Sequence, residues 1–483
     1  MRYVQAALDT CTVGLLYSLG RALAPGVGLM AAAIAAFYAP MIYYIGLLDK
    51  TTLTLFLSSL SLALFSCAME QKNYRWFIAS GAALALSALT RGHFLIVGVG
   101  LCIWLAIYGP AIHRSRMGAS AALLTGLLSI IGPVCLRNYI VGKEFVLVTS
   151  NVGLNLAIGN NPAGSGAYVE PPFIRGIPEH EFADSKAFAE SQTGRNFQQA
   201  ADVSSYFTHL ALSFIFREPS LWIRLMGKKL FLFANSLEIP ETYSFNYFRD
   251  KYPAILGMTL SFGILAPLGI CGLIALGRRP STIWLVIVGA IYALSVISFF
   301  VTSRYRIPIV LILIPCAAYY LANLRQSTLP DFIKLTWPLI PLWVLCNWQP
   351  QWLKGRIARS DRSTPHTLAG NILYQNGQIH QAVIEFEKAR SLMPEFGSNY
   401  LYLSQCYAKL GQSDKVIESL EAAIRVNPML DAAYANLAVE FADRKDYPRA
   451  AAALSYALRL KPYDPIYRRN HDKLLALMGR RTR

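Results

Sequence analysis

Three short clusters of charged side chains stand at the ends of hydrophobic runs and hold the candidate chemistry of this chain. They are Asp49–Lys50, Arg91–His93 and Arg304–Arg306. Ionisable side chains beside a bilayer are costly, so by default they mark candidate binding sites. A guanidinium group binds phosphate through parallel hydrogen bonds, and a lysine ammonium group acts as a point charge. The clusters therefore indicate a site for an anionic, lipid-linked substrate.

The third cluster has the most specific pattern. Arg304 and Arg306 flank Tyr305, and Pro308 fixes the start of the hydrophobic run that follows. An interfacial anchor needs only one cation, whereas two arginines on a short turn suit a phosphate or diphosphate headgroup. The pattern predicts that Arg304 and Arg306 bind the phosphate of a lipid-linked molecule.

The other two clusters each allow two interpretations. Arg91 is either an anchor that snorkels to the interface or a further phosphate ligand. Asp49 either belongs to a solvated turn or supplies a carboxylate that orients a nucleophile or a metal ion. Lys50 beside it would act as a phosphate point charge. A divalent metal ion therefore stays open as a cofactor, and the sequence indicates no other.

Membrane helices must position these clusters. The chain has 483 residues, of which 54% are hydrophobic and 15% charged, against roughly 25% charged residues in soluble proteins. Apolar runs long enough to cross ~30 Å of hydrocarbon recur through the first two thirds of the chain. They predict about ten spans, near residues 4–22, 26–47, 52–69, 76–91, 94–109, 117–136, 254–276, 281–302, 306–324 and 332–348. We expect an all-α dominated fold, in which a polytopic transmembrane bundle carries a mixed extracytoplasmic loop and a helical solenoid.

The net charge of +17 follows the membrane topology and does not indicate a nucleic-acid partner. Lys and Arg are retained in short cytoplasmic loops, and the short basic loops between the predicted spans alternate accordingly. This assignment places the three clusters, the stretch 137–253 and the chain after about residue 350 on the opposite side. The predicted site and the tail thus share the extracytoplasmic face.

The stretch 137–253 is the largest predicted loop. Its first part has Val- and Phe-rich pieces punctuated by Asn and Gly, which predicts short strands and turns. The later part, 195–235, is typical of helices. Trp222, Lys228 and Lys229 suit a helix that lies at the headgroup layer, and an ordinary surface helix explains them equally well.

The tail repeats with a period of 34 residues. Pro394, Pro428 and Pro462 share this spacing, as do Ala389, Ala423 and Ala457. Gly377 and Gly411 recur at the turn inside the unit, and Lys445 takes their place in the third unit. This period is typical of tetratricopeptide repeats, which stack helix pairs around a concave groove. The sequence predicts three units over 366–462 and a capping helix over 463–483.

Three stretches of the membrane part, ALTRGHFL, SNVGLNLAIGNNP and TSRYRIPI, belong to a longer likeness over residues 1–350. That part resembles the bacterial C-type glycosyltransferases of the dolichyl-phosphate-mannose/aminoarabinose-transferase superfamily. With its repeats, the chain is similar to the transmembrane-and-tetratricopeptide mannosyltransferases. The resemblance implies transfer of a sugar from a polyprenyl-phosphate donor to a protein, lipid or glycan acceptor. It places the reaction on the periplasmic face of the inner membrane, where the tetratricopeptide groove would recruit a protein or glycan acceptor.

The resemblance also implies roles for particular residues. The donor phosphate would contact Arg304, Arg306, Arg91 and Lys50. The sugar or acceptor side would comprise Tyr305, His93, Asn151, Asn155, Asn160 and Asn161.

The chain departs from the family pattern at its start. Family members begin with one more span and a loop that carries the catalytic acid, and this sequence shows neither. Asp9 lies within a predicted span, so the role is not carried over to it. Either the true start lies upstream, or the chain is a non-catalytic relative, or Asp49 serves as a replacement base.

Two other functions fit the same sequence. An oligosaccharide ligase or polymerase also combines many spans with periplasmic arginines, and a non-catalytic membrane-tethered tetratricopeptide scaffold would need no base. We expect four regions: a transmembrane bundle over 1–136, a periplasmic loop with interfacial helices over 137–253, a second bundle over 254–350 and the repeat domain over 366–483.

Overall fold

The computed structural model describes residues 1–109, 116–143, 147–149, 151–174, 180–240, 244–253 and 260–481. Within these ranges the chain is helical, and two isolated bridges, Tyr38 with Leu260 and Ala167 with Val301, are its β-pairing. The expected all-α dominated fold is confirmed. The expected short strands are wrong for the described part of the loop. VGLNLAIG forms a helix because Leu154 and Ile158, four residues apart, pack on one face against Phe207.

Seven helices form the first membrane part: α1 Arg2–Leu23, α2 Val27–Ala36, α3 Ala39–Gly46, α4 Thr51–Gln71, α5 Tyr74–Thr90, α6 His93–Tyr108 and α7 Arg116–Gly142. The span predicted over 26–47 is divided between α2 and α3. At the break the amide of Leu260 donates to the carbonyl of Phe37, and the amide of Ala39 donates to that of Leu260. Pairing with a distant segment therefore interrupts a continuous apolar run.

Helices α5 and α7 cross at very short range through two glycines. A Cβ atom on Gly81 would collide with the carbonyl oxygen of Leu123, and one on Gly126 would collide with that of Ile78. Small residues let helix backbones approach closely in lipid, where no hydrophobic force drives association. The α5–α7 crossing thus depends on the absence of side chains at both positions.

The large loop contains five helices among its described residues: α8 Val152–Gly159, α9 Glu181–Thr193, α10 Ala200–Arg217, α11 Pro219–Ala234 and α12 Phe245–Lys251. The side chains expected at the headgroup layer partly turn inward. The Trp222 indole and the Lys229 amino group both donate to Oδ1 of Asn160, at 3.1 and 3.0 Å. Burial lowers the pKa of Lys229 to about 7. Lys229 therefore joins α11 to α8 inside the protein and does not face lipid headgroups.

The second membrane part contains α13 Phe262–Gly277, α14 Ile283–Ile297, the short α15 Ser303–Arg306, α16 Val310–Gln326, α17 Leu329–Thr336 and α18 Leu339–Asn347. Across the described residues, four helical stretches are long and apolar enough to cross a membrane: Thr51–Gln71, Met117–Gly142, Ser303–Gln326 and Leu329–Asn347. Four shorter apolar helices accompany them: Val27–Ala36, His93–Tyr108, Phe262–Gly277 and Ile283–Ile297. The chain is a polytopic helical membrane protein.

The tail is a solenoid of helix pairs, formed by α19 Gln351–Gln375, α20 Ile379–Leu392, α21 Gly397–Lys409, α22 Ser413–Val426, α23 Asp431–Asp443, α24 Tyr447–Leu460 and the terminal α25 Pro465–Arg481. The repeated alanines, Ala389, Ala423 and Ala457, are fully buried at the helix crossings. Gly377, Gly411 and Lys445 all have φ near +70° (77°, 68° and 63°), a conformation that favours glycine. The third unit thus keeps the turn of the first two without its glycine.

Candidate functional site

The arginine turn, residues 302–306, is fastened to the segment that follows α11. The hydroxyl of Thr302 accepts a hydrogen bond from the Tyr305 amide and caps the short helix α15. The Ser303 hydroxyl accepts from the Ile239 amide at 2.7 Å, and the Ser303 amide donates to the Ile239 carbonyl at 3.0 Å. These paired bonds hold residues 238–240 against the turn.

An open pocket lies between this turn and the end of α3. Its charged lining consists of Asp49, Glu238 and Arg304. The remaining lining residues are Tyr43, Tyr44, Leu47, Ile239, Pro240, Phe245 and Ser303. The pocket therefore combines apolar walls with two carboxylates and one guanidinium group.

Arg304 and Arg306 have different surroundings, although one residue separates them. Arg304 lines the pocket, and its guanidinium lies 5.5 Å from the centre of the Tyr305 ring. Arg306 is 2% exposed and pairs with Glu238 at 2.9 Å. It also donates to the carbonyls of Leu232 and Asn235 and covers the Phe262 ring. Arg306 therefore holds the pocket wall in place, while Arg304 faces the space where a ligand would lie.

Arg91 lies beside the pocket and is 3% exposed. One of its amino groups, Nη2, donates to the Thr51 hydroxyl at 3.0 Å, and its guanidinium lies 4.9 Å from the centre of the Tyr305 ring. Its Nε and Nη1 groups are buried and have no hydrogen-bond acceptor among the described residues. Buried donors without acceptors are costly, and this guanidinium has capacity for further hydrogen bonds.

Tyr305 is the common platform of the site. The guanidinium groups of Arg91 and Arg304 both lie near its ring, and the centre of the His93 ring lies 5.6 Å from the centre of the Tyr305 ring. The Tyr292 hydroxyl donates to the Tyr305 carbonyl at 2.8 Å and fixes the backbone. Two cations beside one aromatic ring repel each other, and a nearby anion reduces this repulsion.

Asp49 is held at the start of α4. Its carboxylate accepts hydrogen bonds from the amide of Thr51 at 2.8 Å and from the hydroxyl of Thr51 at 2.9 Å. The same hydroxyl receives the hydrogen bond from Arg91. Lys50 next to it is exposed, and its carbonyl accepts from the Thr54 amide and hydroxyl. The structure thus joins Asp49 and Arg91 through Thr51, a residue that the sequence did not single out.

The asparagines of the large loop hold the scaffold together. The Asn160 side chain donates to the carbonyls of Leu156 and Ser298. The Asn161 side chain donates to carbonyls of the preceding helical turn. The Asn151 side chain donates to the Glu181 carboxylate at 3.1 Å. Asn155 lies within α8. None of these four belongs to the lining of the described pocket, so the structure does not bring them together with Arg304.

Glu238 is the main residue that sequence reasoning missed. It lies in SLEIPETYSF, between the end of α11 and the next membrane helix. The stretch also contains Glu241, so no local sequence signal singles out Glu238 as the counter-ion of Arg306. No group of three or more His, Cys, Asp or Glu side chains suited to a metal ion occurs within the ranges that the structure describes.

Comparisons with known proteins match two parts of the chain. Residues 398–428 match the tetratricopeptide repeat model. A search of curated proteins finds no match.

Among solved structures, a tetratricopeptide domain of Spaghetti (RPAP3) bound to an HSP90 peptide is 15% identical, covers 25% of this chain and 95% of its own, and has a TM-score of 0.24. The TPR2AB domain of yeast Sti1 in its HSP90 complex is 16% identical, covers 61% and 97%, and has a TM-score of 0.23. The APC/C hetero-tetramer Cut9–Hcn1 is 11% identical, covers 96% and 98%, and has a TM-score of 0.24. TM-scores this low do not show that these structures share a fold with this chain.

The first membrane part gives the more informative match. Residues 1–136 match the model of the dolichyl-phosphate-mannose-protein mannosyltransferase family. They contain Asp49, which lines the pocket, and Arg91, which is joined to Asp49 through Thr51. The match covers the first membrane part and points to a membrane glycosyltransferase.

Proposed function

We propose that this protein transfers a sugar from a polyprenyl-phosphate donor to a protein, lipid or glycan acceptor. The reaction would take place at the periplasmic face of a bacterial inner membrane, in the pocket beside the arginine turn. The tetratricopeptide array would lie on the same side and recruit the acceptor. The family match of residues 1–136 supports the reaction class.

The buried guanidinium of Arg91 carries the proposal. Its Nε and Nη1 groups lack an acceptor among the described residues, and Arg304 approaches the same tyrosine ring from the pocket. A phosphate oxygen would satisfy both donors with charge-assisted hydrogen bonds. Arg306 contributes indirectly, because it holds Glu238 and the pocket wall, and exposed Lys50 supplies an outer charge.

The chemistry follows from the side chains around that phosphate. The acceptor oxygen attacks the anomeric carbon, the bond from that carbon to the phosphate oxygen breaks, and the lipid phosphate leaves as an anion. Arg91 and Arg304 stabilise the negative charge on the leaving phosphate. The acceptor proton passes to a carboxylate. Asp49 is the candidate for this role, because it lines the pocket and Thr51 holds its orientation. His93 and Tyr305 would contact the sugar side.

The test measures binding of polyprenyl phosphate to the full chain in lipid nanodiscs. Arg91→Met should weaken binding by about tenfold or more, because charge-assisted hydrogen bonds contribute roughly 1.5–3 kcal/mol. Arg91→Lys should recover part of this loss, since a point charge replaces the planar fork. Arg425→Ala, at an exposed position of the repeat array, is the matched control and should bind like the wild type.

The same preparation separates the competing functions. Release of sugar from a monophosphate-linked donor, lost in Asp49→Asn with binding retained, supports the proposed reaction. Transfer that requires a diphosphate-linked oligosaccharide identifies a ligase or polymerase. Binding that is equal in wild type and Arg91→Met overturns the proposed phosphate site and favours a scaffold.

A further inference from the structure

Residues 167–174, AYVEPPFI, form a strap between the arginine turn and the repeat array. At its first end Ala167 pairs with Val301, and the Val301 amide donates to the Gly166 carbonyl at 2.9 Å. Tyr168 packs on Phe300 with ring centres 5.2 Å apart. Phe300 in turn contacts Tyr305 of the arginine turn. This end of the strap is thus part of the wall behind the candidate site.

The second end of the strap lies on the repeat array. The side-chain amide of Asn427, at the end of α22, donates to the Pro172 carbonyl at 2.7 Å. Burial, and then the neighbouring Glu170 carboxyl group, raise the pKa of the Tyr402 hydroxyl, which is hydrogen-bonded to Asn371. Glu170 therefore lies close to the face that α19 and α21 share.

The contacts match the chemistry of a proline-containing segment. Pro171 and Pro172 have no amide hydrogen, so their carbonyls are the backbone groups that need a partner, and Asn427 supplies one. The residue before a proline is held in an extended conformation, which lowers the entropy lost on binding. Oε1 of Glu170 is buried and lacks a hydrogen-bond partner within the described chain. The docked strap therefore keeps one buried carboxyl oxygen without a hydrogen-bond partner in the described structure.

A separate buried contact holds the array next to the strap. The Lys461 amino group pairs with Asp184 of α9 at 2.6 Å and with Asp431 of α23 at 3.0 Å. The Tyr463 hydroxyl donates to the Gly194 carbonyl at 3.0 Å. The array thus stays attached to the loop when the strap leaves its surface.

We propose that the surface around Asn371, Tyr402 and Asn427 binds extended segments that contain two consecutive prolines. The chain's own strap occupies this surface as an internal ligand. A partner protein that presents such a segment competes with the strap. Because a tethered ligand acts at an effective concentration of roughly millimolar, the wild-type surface is masked from weak ligands.

The experiment uses the full chain in nanodiscs and a fluorescent synthetic peptide with the sequence SGAYVEPPFI, residues 165–174. Pro171→Gly in the protein frees the strap backbone, weakens its docking and should strengthen binding of the peptide by about twofold to fivefold. A peptide whose two prolines are replaced by alanine should bind more weakly to this variant.

A second substitution tests the surface itself. Asn427→Asp keeps the acceptor for the Met429 amide and removes the donor to Pro172, so in the Pro171→Gly background it should abolish the gain. Asn376→Ala, at an exposed turn of the same array, is the matched control and should leave the gain intact. Peptide binding that is unchanged by Pro171→Gly, or a gain that survives Asn427→Asp, overturns the proposal.

Discussion

Two buried cations have opposite surroundings: Arg91 beside the candidate pocket and Lys461 at the contact between the array and the loop. Lys461 meets two carboxylates, and Asp431 also accepts a hydrogen bond from the Tyr467 hydroxyl at 2.7 Å. Arg91 meets a hydroxyl and an aromatic ring and keeps two donors without acceptors in the described structure. Removing a cation whose buried carboxylates depend on it is strongly destabilising, whereas Arg91 keeps capacity for further hydrogen bonds.

The largest expected effect is at Lys461. Lys461→Met would leave Asp184 and Asp431 buried side by side without their cation, and breaking such a network costs about 3–5 kcal/mol. We expect the repeat array to detach from the loop and to become sensitive to limited proteolysis. Proteolysis at the wild-type rate would contradict the structural role of this cation.

Substitutions at Arg306 and Arg91 compare a paired buried cation with an incompletely paired one within the membrane part. Arg306→Met leaves the Glu238 carboxylate buried and unpaired and should lower the free energy of unfolding by about 3 kcal/mol or more. Arg91→Met removes an incompletely satisfied charge and should change it by less than about 1 kcal/mol. Unfolding in mixed detergent micelles measures both. Equal losses would show that the two arginines have the same role.

Glu170 gives a pH dependence of intermediate size. Burial, and then the nearby Asp184 and Glu181, raise the pKa of its carboxyl group from 4.5 to about 8. Because the folded pKa is above the unfolded one, the stabilising contribution is complete below pH ~4.5 and is lost as the pH rises through about 8. Hydrogen exchange of the strap should therefore accelerate between these values. Glu170→Gln should remove the dependence, and an unchanged pH profile in this variant would contradict the assignment.

The smallest effect is expected at an exposed pair of the array. Arg444 and Asp414 lie 2.7 Å apart, but the Asp414 side chain is 95% exposed. Exposed ion pairs contribute about 0–1 kcal/mol, so Arg444→Ala should hardly change the denaturant midpoint of the array. A loss comparable with that of Lys461→Met would show that burial does not separate the two classes of ion pair.

Local patterns predicted much of the fold. The 34-residue period located the repeat units, because Ala389, Ala423 and Ala457 must be small wherever the helices cross. The apolar runs located several of the apolar helices, and the RYRIP pattern located the turn that lines the pocket. In each case one short stretch of sequence contains the physical cause.

The remaining features depend on distant partners. Lys461 and Asp184 are 277 residues apart, and nothing near Arg306 in the sequence indicates that Glu238 neutralises it. The break near Tyr38 follows from pairing with Leu260, and helix α8 replaced predicted strands because its apolar residues pack on α10. The site assignments, including Arg304 and Arg91 at a phosphate, stay predictions for the experiments above.

The glycine crossing of α5 and α7 has a consequence for biosynthesis. These helices are separated in the chain by α6, so Gly81 enters the bilayer well before Gly126 emerges from the ribosome. Until then, the groove at Gly81 faces lipid or other helices of the insertion machinery. Assembly of the first membrane part therefore cannot finish helix by helix, and the helix that carries Arg91 at its end takes its final position only after α7 arrives.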